Sequence, residues 1–81
     1  MKLDVRLFAR ARDAAGAERV TVELPEGASV ADLRAALAAQ SANLGALVPC
    51  LLFAVGTDYA DDRVQLSPEA DVACFPPVSG G

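Results

Sequence analysis

The sequence contains few side chains that could carry out catalysis. It has no histidine, and its two cysteines, Cys50 and Cys74, lie far apart, which excludes a Ser–His or Cys–His nucleophile pair and a zinc site. No glycine-rich phosphate loop stands between a strand and a helix. The acidic residues Asp58, Asp61 and Asp62 lack the spacing and the glycine of a calcium loop, and we interpret them as a solvated turn. The sequence therefore predicts no metal site and no catalytic side chain.

The last six residues, Pro-Pro-Val-Ser-Gly-Gly, carry the reactive group that is left, the terminal carboxylate of Gly81. Two final glycines, which have no Cβ, make a segment thin enough to enter the active site of another enzyme. Pro76 and Pro77 would keep the base of this segment extended, and Val78 would hold it in register in a groove. We therefore expect residues 76–81 to form a flexible tail that presents the carboxylate to a partner.

Composition predicts one globular domain, which we place at residues 1–75. The chain has 81 residues, of which 53% are hydrophobic and 22% charged. The net charge is −4 and the seven basic residues form no run, which argues against nucleic acid as a partner and suits a protein with a basic groove. The longest apolar stretch, LGALVPCLLFAVG, contains a proline and is too short to span a membrane.

The expected compartment is the cytoplasm. No signal peptide is recognised after Met1, because the chain leads straight into an alternating pattern. Thiols stay reduced in that compartment, so we do not expect a disulfide. We interpret both Cys50 and Cys74 as small buried hydrophobic residues.

Alternating apolar residues predict a hairpin at the start of the chain. Residues 2–8 place Leu3, Val5 and Leu7 on one side, and residues 19–25 show the same period of two. The segment between them is predicted to form a short helical turn that ends at Gly16, because glycine takes the left-handed conformation at low cost. The two strands are close enough in sequence to pair antiparallel.

One amphipathic helix is predicted over residues 30–39. Ser29 is a good N-cap residue, and Asp32 lies where a capping carboxylate stabilises the first turn. The rest of the chain is predicted, in order, as a loop with a possible turn, a buried strand, a short edge strand and a final strand: residues 41–49, 51–55, 63–66 and 71–75.

This order of elements predicts a two-layer α+β domain, with one main helix packed on one face of a mixed sheet. It suits the β-grasp, or ubiquitin-like, architecture, in which the first and last strands are neighbours in mid-sheet. Phe8 and Phe75 would then lie together on the face that no helix covers. Clustered exposed aromatic residues indicate a protein interface, although a loop folded over them is the alternative.

Three segments carry a resemblance to a known family: the ending FPPVSGG, the opening LFARARDAAG and the helix entry PEGASVADLRAAL. They resemble the small subunit of molybdopterin synthase, a ubiquitin-like sulfur carrier that works in a heterotetramer. The resemblance implies that an E1-like enzyme uses ATP to adenylate the Gly81 carboxylate, and that a sulfur donor converts it to a thiocarboxylate. The tail would then enter the active site of the large subunit and donate sulfur to a cyclic pyranopterin monophosphate. The tail residues concerned are Pro76, Pro77, Val78, Ser79 and Gly80.

By the same resemblance, Phe8, Arg12 and Phe75 lie where the family contacts its partners, although Arg12 could equally be a solvated charge. No cofactor or metal is expected on the chain itself. Three alternatives stay open. The chain could carry sulfur for thiamine or cysteine synthesis, or modify proteins through an isopeptide bond from Gly81. It could also be a binding module with an idle tail.

Overall fold

The computed structural model of the chain describes residues 1–77. Within them, five strands form one mixed sheet in the order β2-β1-β5-β3-β4. The first and last strands run parallel as neighbours in mid-sheet, which confirms the predicted β-grasp fold. The elements in chain order are β1 (Lys2–Leu7), α1 (Ala9–Ala15), β2 (Arg19–Glu23), α2 (Val30–Gln40), α3 (Ala42–Leu47), a 3₁₀ turn (Val48–Cys50), β3 (Leu52–Val55), β4 (Asp58–Ala60) and β5 (Val72–Phe75).

The hairpin of β1 and β2 forms as the alternation predicts. Leu3 pairs with Val22 and Val5 with Val20, so the apolar residues of both strands share one face. The short helix α1 lies between them and ends at Gly16, which has a φ of +71°. At this positive φ a residue without Cβ avoids the clash that other residues meet.

Helix α2 begins with the predicted cap. The backbone N–H of Asp32 donates to Ser29 Oγ at 3.4 Å, and the N–H of Ser29 donates to Asp32 Oδ2 at 2.9 Å. This reciprocal pair satisfies two N–H groups that would otherwise lack partners at the helix start. The helix then buries Val30, Leu33 and Leu37 against the sheet.

The loop predicted for residues 41–49 is mostly helical, so that prediction was wrong. Ser41 ends α2 and caps α3, because its Oγ accepts from the N–H of Leu44 at 3.3 Å. A Cβ on Gly45 would lie 3.2 Å from the carbonyl oxygen of Ala38, so glycine lets α3 approach α2 closely. The helix is six residues long, and so short a segment has too few apolar positions to show a helical period in the sequence.

The predicted edge strand at residues 63–66 was also wrong, because the edge strand is β4 at Asp58–Ala60. Strand β4 folds back on β3 through a two-residue turn that starts at Gly56, whose φ is +64°. Residues 63–66 instead bond to the segment that precedes α2. The N–H of Leu66 donates to the carbonyl of Ala28 at 2.8 Å. The alternating apolar residues at 63–66 therefore belong to this contact and not to a strand of the sheet.

Arg34 ties α2 to the start of β3. Its Nη1 donates to the carbonyl oxygens of Val48 at 2.6 Å and Leu51 at 2.8 Å. The same guanidinium pairs with Asp62 at 3.0 Å and lies 4.9 Å from the ring centre of Phe53. Asp62, which we interpreted as part of a solvated turn, is therefore the ion-pair partner of Arg34.

The core lies between the helices and the alternate residues of the sheet that face them. Cys74 is buried there, as predicted, whereas Cys50 is exposed. The reason is the 3₁₀ turn, in which Val48 takes the buried position and Cys50 turns outward. The largest fully buried side chains are Phe53, Leu3, Leu33, Leu37, Leu44, Leu51, Val5, Val22, Val30, Val72 and Cys74.

Candidate functional site

Strands β1 and β5 end side by side, and this end of the sheet positions the candidate site. Val5 pairs with Val72 and Leu7 with Cys74 in the parallel register. One residue further, the N–H of Phe8 donates to the carbonyl of Cys74 at 3.1 Å. Because parallel strands point the same way, the segment that follows β5 leaves the sheet at the same end of the strands as Phe8.

The structure places Phe8 and Phe75 on the face of the sheet opposite to the helices. Arg6 pairs with Ala73 on this open face, and Phe8 and Phe75 are the next residues of the same parity in each chain segment. The side chain of Phe8 is 44% exposed, whereas Phe75 is half-buried. The sequence-based placement of both rings on the uncovered face is thus what the register shows.

Two further residues of the open face were missed by sequence reasoning. Leu52 pairs directly with Phe75 and is 38% exposed, and Tyr59 is 74% exposed. The Tyr59 ring centre lies 5.7 Å from that of Phe75 with the planes tilted by 58°. Within residues 1–77, the exposed large hydrophobic side chains are Phe8, Leu52 and Tyr59, all on this face. We call Phe8, Leu52, Tyr59 and Phe75 the aromatic surface.

The reasons for these omissions lie in the pattern itself. Leu52 belongs to a continuous apolar run, and such a run does not reveal which residues face the core. Tyr59 lies in a segment rich in turn residues, so β4 was not expected there. The turn glycine Gly56 between two short apolar or aromatic segments was the signal that could have revealed the hairpin.

Arg12 lies on α1, close to one end of the aromatic surface. Its guanidinium Nε is 3.9 Å from a carboxylate oxygen of Asp13, and its side chain is about half exposed. It lines a small cavity together with Phe8, so the structure brings these two predicted residues together. Phe75 reaches the same surface from the neighbouring strand.

The tail leaves the sheet beside this surface. Pro76 is half-buried and Pro77 is exposed. The tail residues Val78, Ser79, Gly80 and Gly81 lie outside the described residues. The function predicted for the Gly81 carboxylate is therefore still a prediction.

Of the two cysteines, Cys50 is exposed, whereas Cys74 lies at this end of the sheet but is buried. Burial raises the pKa of Cys74 to about 12, and the nearby positive charge of Arg34 opposes this only in part. A thiol with this pKa stays protonated at neutral pH and is a poor nucleophile. Across residues 1–77, no three His, Cys, Asp or Glu side chains come together in a way that could hold a metal ion. No helix in that part of the chain is long and apolar enough to cross a membrane.

Comparison with known proteins agrees with the predicted fold and family. The model of the ThiS family matches residues 5–81. The chain is 35% identical over 83 aligned positions to the molybdopterin synthase sulfur carrier subunit of Chlamydomonas reinhardtii, and the match covers 100% of both chains.

Two solved structures are similar over nearly the whole domain. SAMP1 from Haloferax volcanii superposes with a TM-score of 0.87 at 26% identity, and the match covers 100% of both chains. A protein described as subunit 1 of a molybdopterin converting factor from Pyrococcus furiosus gives a TM-score of 0.84 at 30% identity. That match covers 96% of this chain and 99% of the other.

Proposed function

Because the chain belongs to the ThiS family, we propose that it is the sulfur carrier subunit of a molybdopterin synthase. The observation that carries this proposal is the likeness to a subunit of that name along the full length of both chains. Family membership alone does not separate one sulfur-accepting pathway from another. The relatives named for molybdopterin synthesis favour this one.

In the proposed reaction the chain supplies one functional group, the carboxylate of Gly81. An E1-like enzyme transfers AMP from ATP to this carboxylate and releases pyrophosphate. The persulfide of a sulfur donor then attacks the acyl carbon and displaces AMP. Cleavage of the resulting disulfide by a thiol leaves a thiocarboxylate on Gly81. None of these three steps uses a side chain of the carrier, which fits the protonated, buried state of Cys74.

In the second stage the tail enters the large synthase subunit, and the thiocarboxylate sulfur displaces an oxygen from a carbon of the cyclic pyranopterin monophosphate. Water then cleaves the thioester formed with Gly81 and restores its carboxylate. The aromatic surface supports this stage, because it offers a partly desolvated contact area beside the point where the tail leaves the sheet. Tyr59 and Phe75 are large rings of the kind that dominate binding energy at protein interfaces. We assign Phe8, Arg12 and Phe75 to this interface and add Leu52 and Tyr59.

Intact-mass measurement tests the first stage directly. The chain is incubated with ATP, the activating enzyme and a persulfide donor. The expected product is heavier by the difference between one sulfur and one oxygen atom. A matched variant with one alanine added after Gly81 should gain no mass, because its carboxylate has moved away from the glycine. Equal gains in both proteins would show that sulfur is not carried on the Gly81 carboxylate.

One observation favours a second function, in which the chain is a protein modifier joined to lysine side chains through Gly81. SAMP1 from Haloferax volcanii, which is described as small archaeal modifier protein 1, shares the fold along its whole length. The same incubation with a cell extract distinguishes the two functions. A modifier produces isopeptide-linked conjugates that resist reducing agents, whereas a sulfur carrier produces the free thiocarboxylate.

A further inference from the structure

A small cavity at the end of β1 carries an excess of positive charge. It has a volume of about 200 Å³ and adjoins Phe8 of the aromatic surface. Its lining residues are Arg6, Leu7, Phe8, Arg12, Glu18 and Arg19. Three guanidinium groups thus share the cavity with one carboxylate.

The positive charge of this cavity is only partly neutralised within the fold. Arg6 pairs with Asp71 at 3.1 Å, and Arg12 makes the longer contact of 3.9 Å with the adjacent Asp13. Arg19 makes no ion pair among residues 1–77 and lies directly opposite Arg6 in the antiparallel register. Like charges in directly opposite positions of two strands destabilise a sheet, and the ion pair with Asp71 offsets the charge of Arg6 but not that of Arg19.

The cavity also stands out against the charge of the whole chain. The net charge is −4, yet five of the seven basic residues lie within the first 19 positions. Eight of the eleven acidic residues follow position 19. Residues 2–23, which contain the hairpin and α1, therefore carry five basic and four acidic side chains, whereas the rest of the chain carries two basic and seven acidic ones.

The position of the cavity indicates what can reach it. The cavity adjoins Phe8 at the end of β1. The segment that begins at Pro76 leaves the sheet at the same end of the strands. A protein that receives the tail and covers Phe8 therefore lies next to the cavity, because Phe8 lines it. A guanidinium binds a carboxylate through two parallel hydrogen bonds, and this pairing strengthens when water is excluded.

We propose that the cavity receives an aspartate or glutamate side chain of the protein that accepts the tail, with Arg19 as its main ligand and Arg6 and Arg12 beside it. This inference rests on the proposed function in one respect, namely that a partner accepts the tail. It adds the kind of residue that the partner presents and makes Arg19 a determinant of specificity.

The test compares Arg19→Glu with Arg10→Glu in binding to the purified large synthase subunit of the same organism. Arg10 is exposed on α1 and does not line the cavity, so its variant makes the same change in net charge in the same region. We expect Arg19→Glu to raise Kd at least about tenfold and Arg10→Glu to change it less than about twofold, because a carboxylate in the cavity would repel the partner's own. The loss should be smaller in Arg19→Lys, which keeps the charge but not the bidentate geometry.

Two further measurements make the result decisive. The Tm of Arg19→Glu should not fall below that of the wild type, since the variant removes a like-charge pair. The difference in Kd between the two glutamate variants should persist at high salt, where diffuse attraction is screened but a covered pair is not. Equal weakening by both variants, or by neither, would overturn the proposal.

If the wild type does not bind the large subunit, the proposed function fails and the cavity is tested against the E1-like activating enzyme. That enzyme also accepts the tail, so Arg19→Glu must slow tail adenylation relative to Arg10→Glu. Equal adenylation rates in that assay would overturn the cavity proposal by itself.

Discussion

The two faces of the sheet are built from alternating residues of the same strands, but one face packs on the core and the other is open. On the covered face, Phe53 is 1% exposed and packs under the helices. Its neighbour Leu52 points to the open face and is 38% exposed. The period of two in a β-strand lets one short segment contribute to folding and to binding independently. Substitutions on one face should therefore change stability, and those on the other should change association.

The largest effect is expected on the covered face. Phe53→Ala should lower the free energy of unfolding by about 3–5 kcal/mol, because it removes a fully buried ring and leaves a cavity. The matched change Leu52→Ala should cost less than about 1 kcal/mol, since much of that side chain is already in water. Urea denaturation followed by circular dichroism measures both. Similar losses in the two variants would mean that the open face is part of the folding core.

The next largest effect is expected on the open face. Phe75→Asp should weaken binding to the large synthase subunit about a hundredfold, because it places a charge in the centre of a contact that excludes water. The control Ala35→Asp introduces the same side chain on the exposed side of α2, away from the aromatic surface, and should bind like the wild type. Isothermal titration calorimetry measures the two affinities.

Tyr59→Asp provides a second variant on that face, because Phe75 is half-buried and its substitution also affects folding. Tyr59 is 74% exposed, so its replacement should leave the Tm almost unchanged while it weakens binding. If both open-face variants bind as the wild type does, the aromatic surface is not the docking site. The assignment of Phe8 and Phe75 to the partner interface would then be wrong.

The covered face was easier to predict from the sequence than the open face. Strand parity identified Leu3, Val5 and Leu7 as core residues, and a capping serine marked the start of α2. These features depend on local patterns within a few residues. Parity also placed Phe8 and Phe75 outside the core, once the first and last strands were taken as neighbours.

The remaining features depend on contacts between distant parts of the chain. Tyr59 joins the aromatic surface only because the turn at Gly56 folds β4 onto β3. The cavity arises from a register that sets Arg6 opposite Arg19, and no spacing in the sequence specifies that register. The helix at residues 42–47 is stabilised by its packing on α2 more than by its own propensity.

The last comparison again sets a covered residue against an exposed one, here the two cysteines, and its effect is confined to high pH. Burial raises the pKa of Cys74 from 9.0 to about 12, so the folded state keeps a proton that the unfolded state releases above pH 9. The contribution of Cys74 to stability is therefore fully present below pH 9 and is lost as the pH rises from 9 to 12. The folding equilibrium constant should fall by about tenfold per pH unit in that window from this group alone.

Cys74→Val should remove this part of the pH dependence, whereas Cys50→Ser, at an exposed position, should retain it. Urea midpoints measured between pH 8 and pH 11 separate the variants, and a Cys74→Val profile parallel to the wild type would show that the thiol is not protected by the covered face.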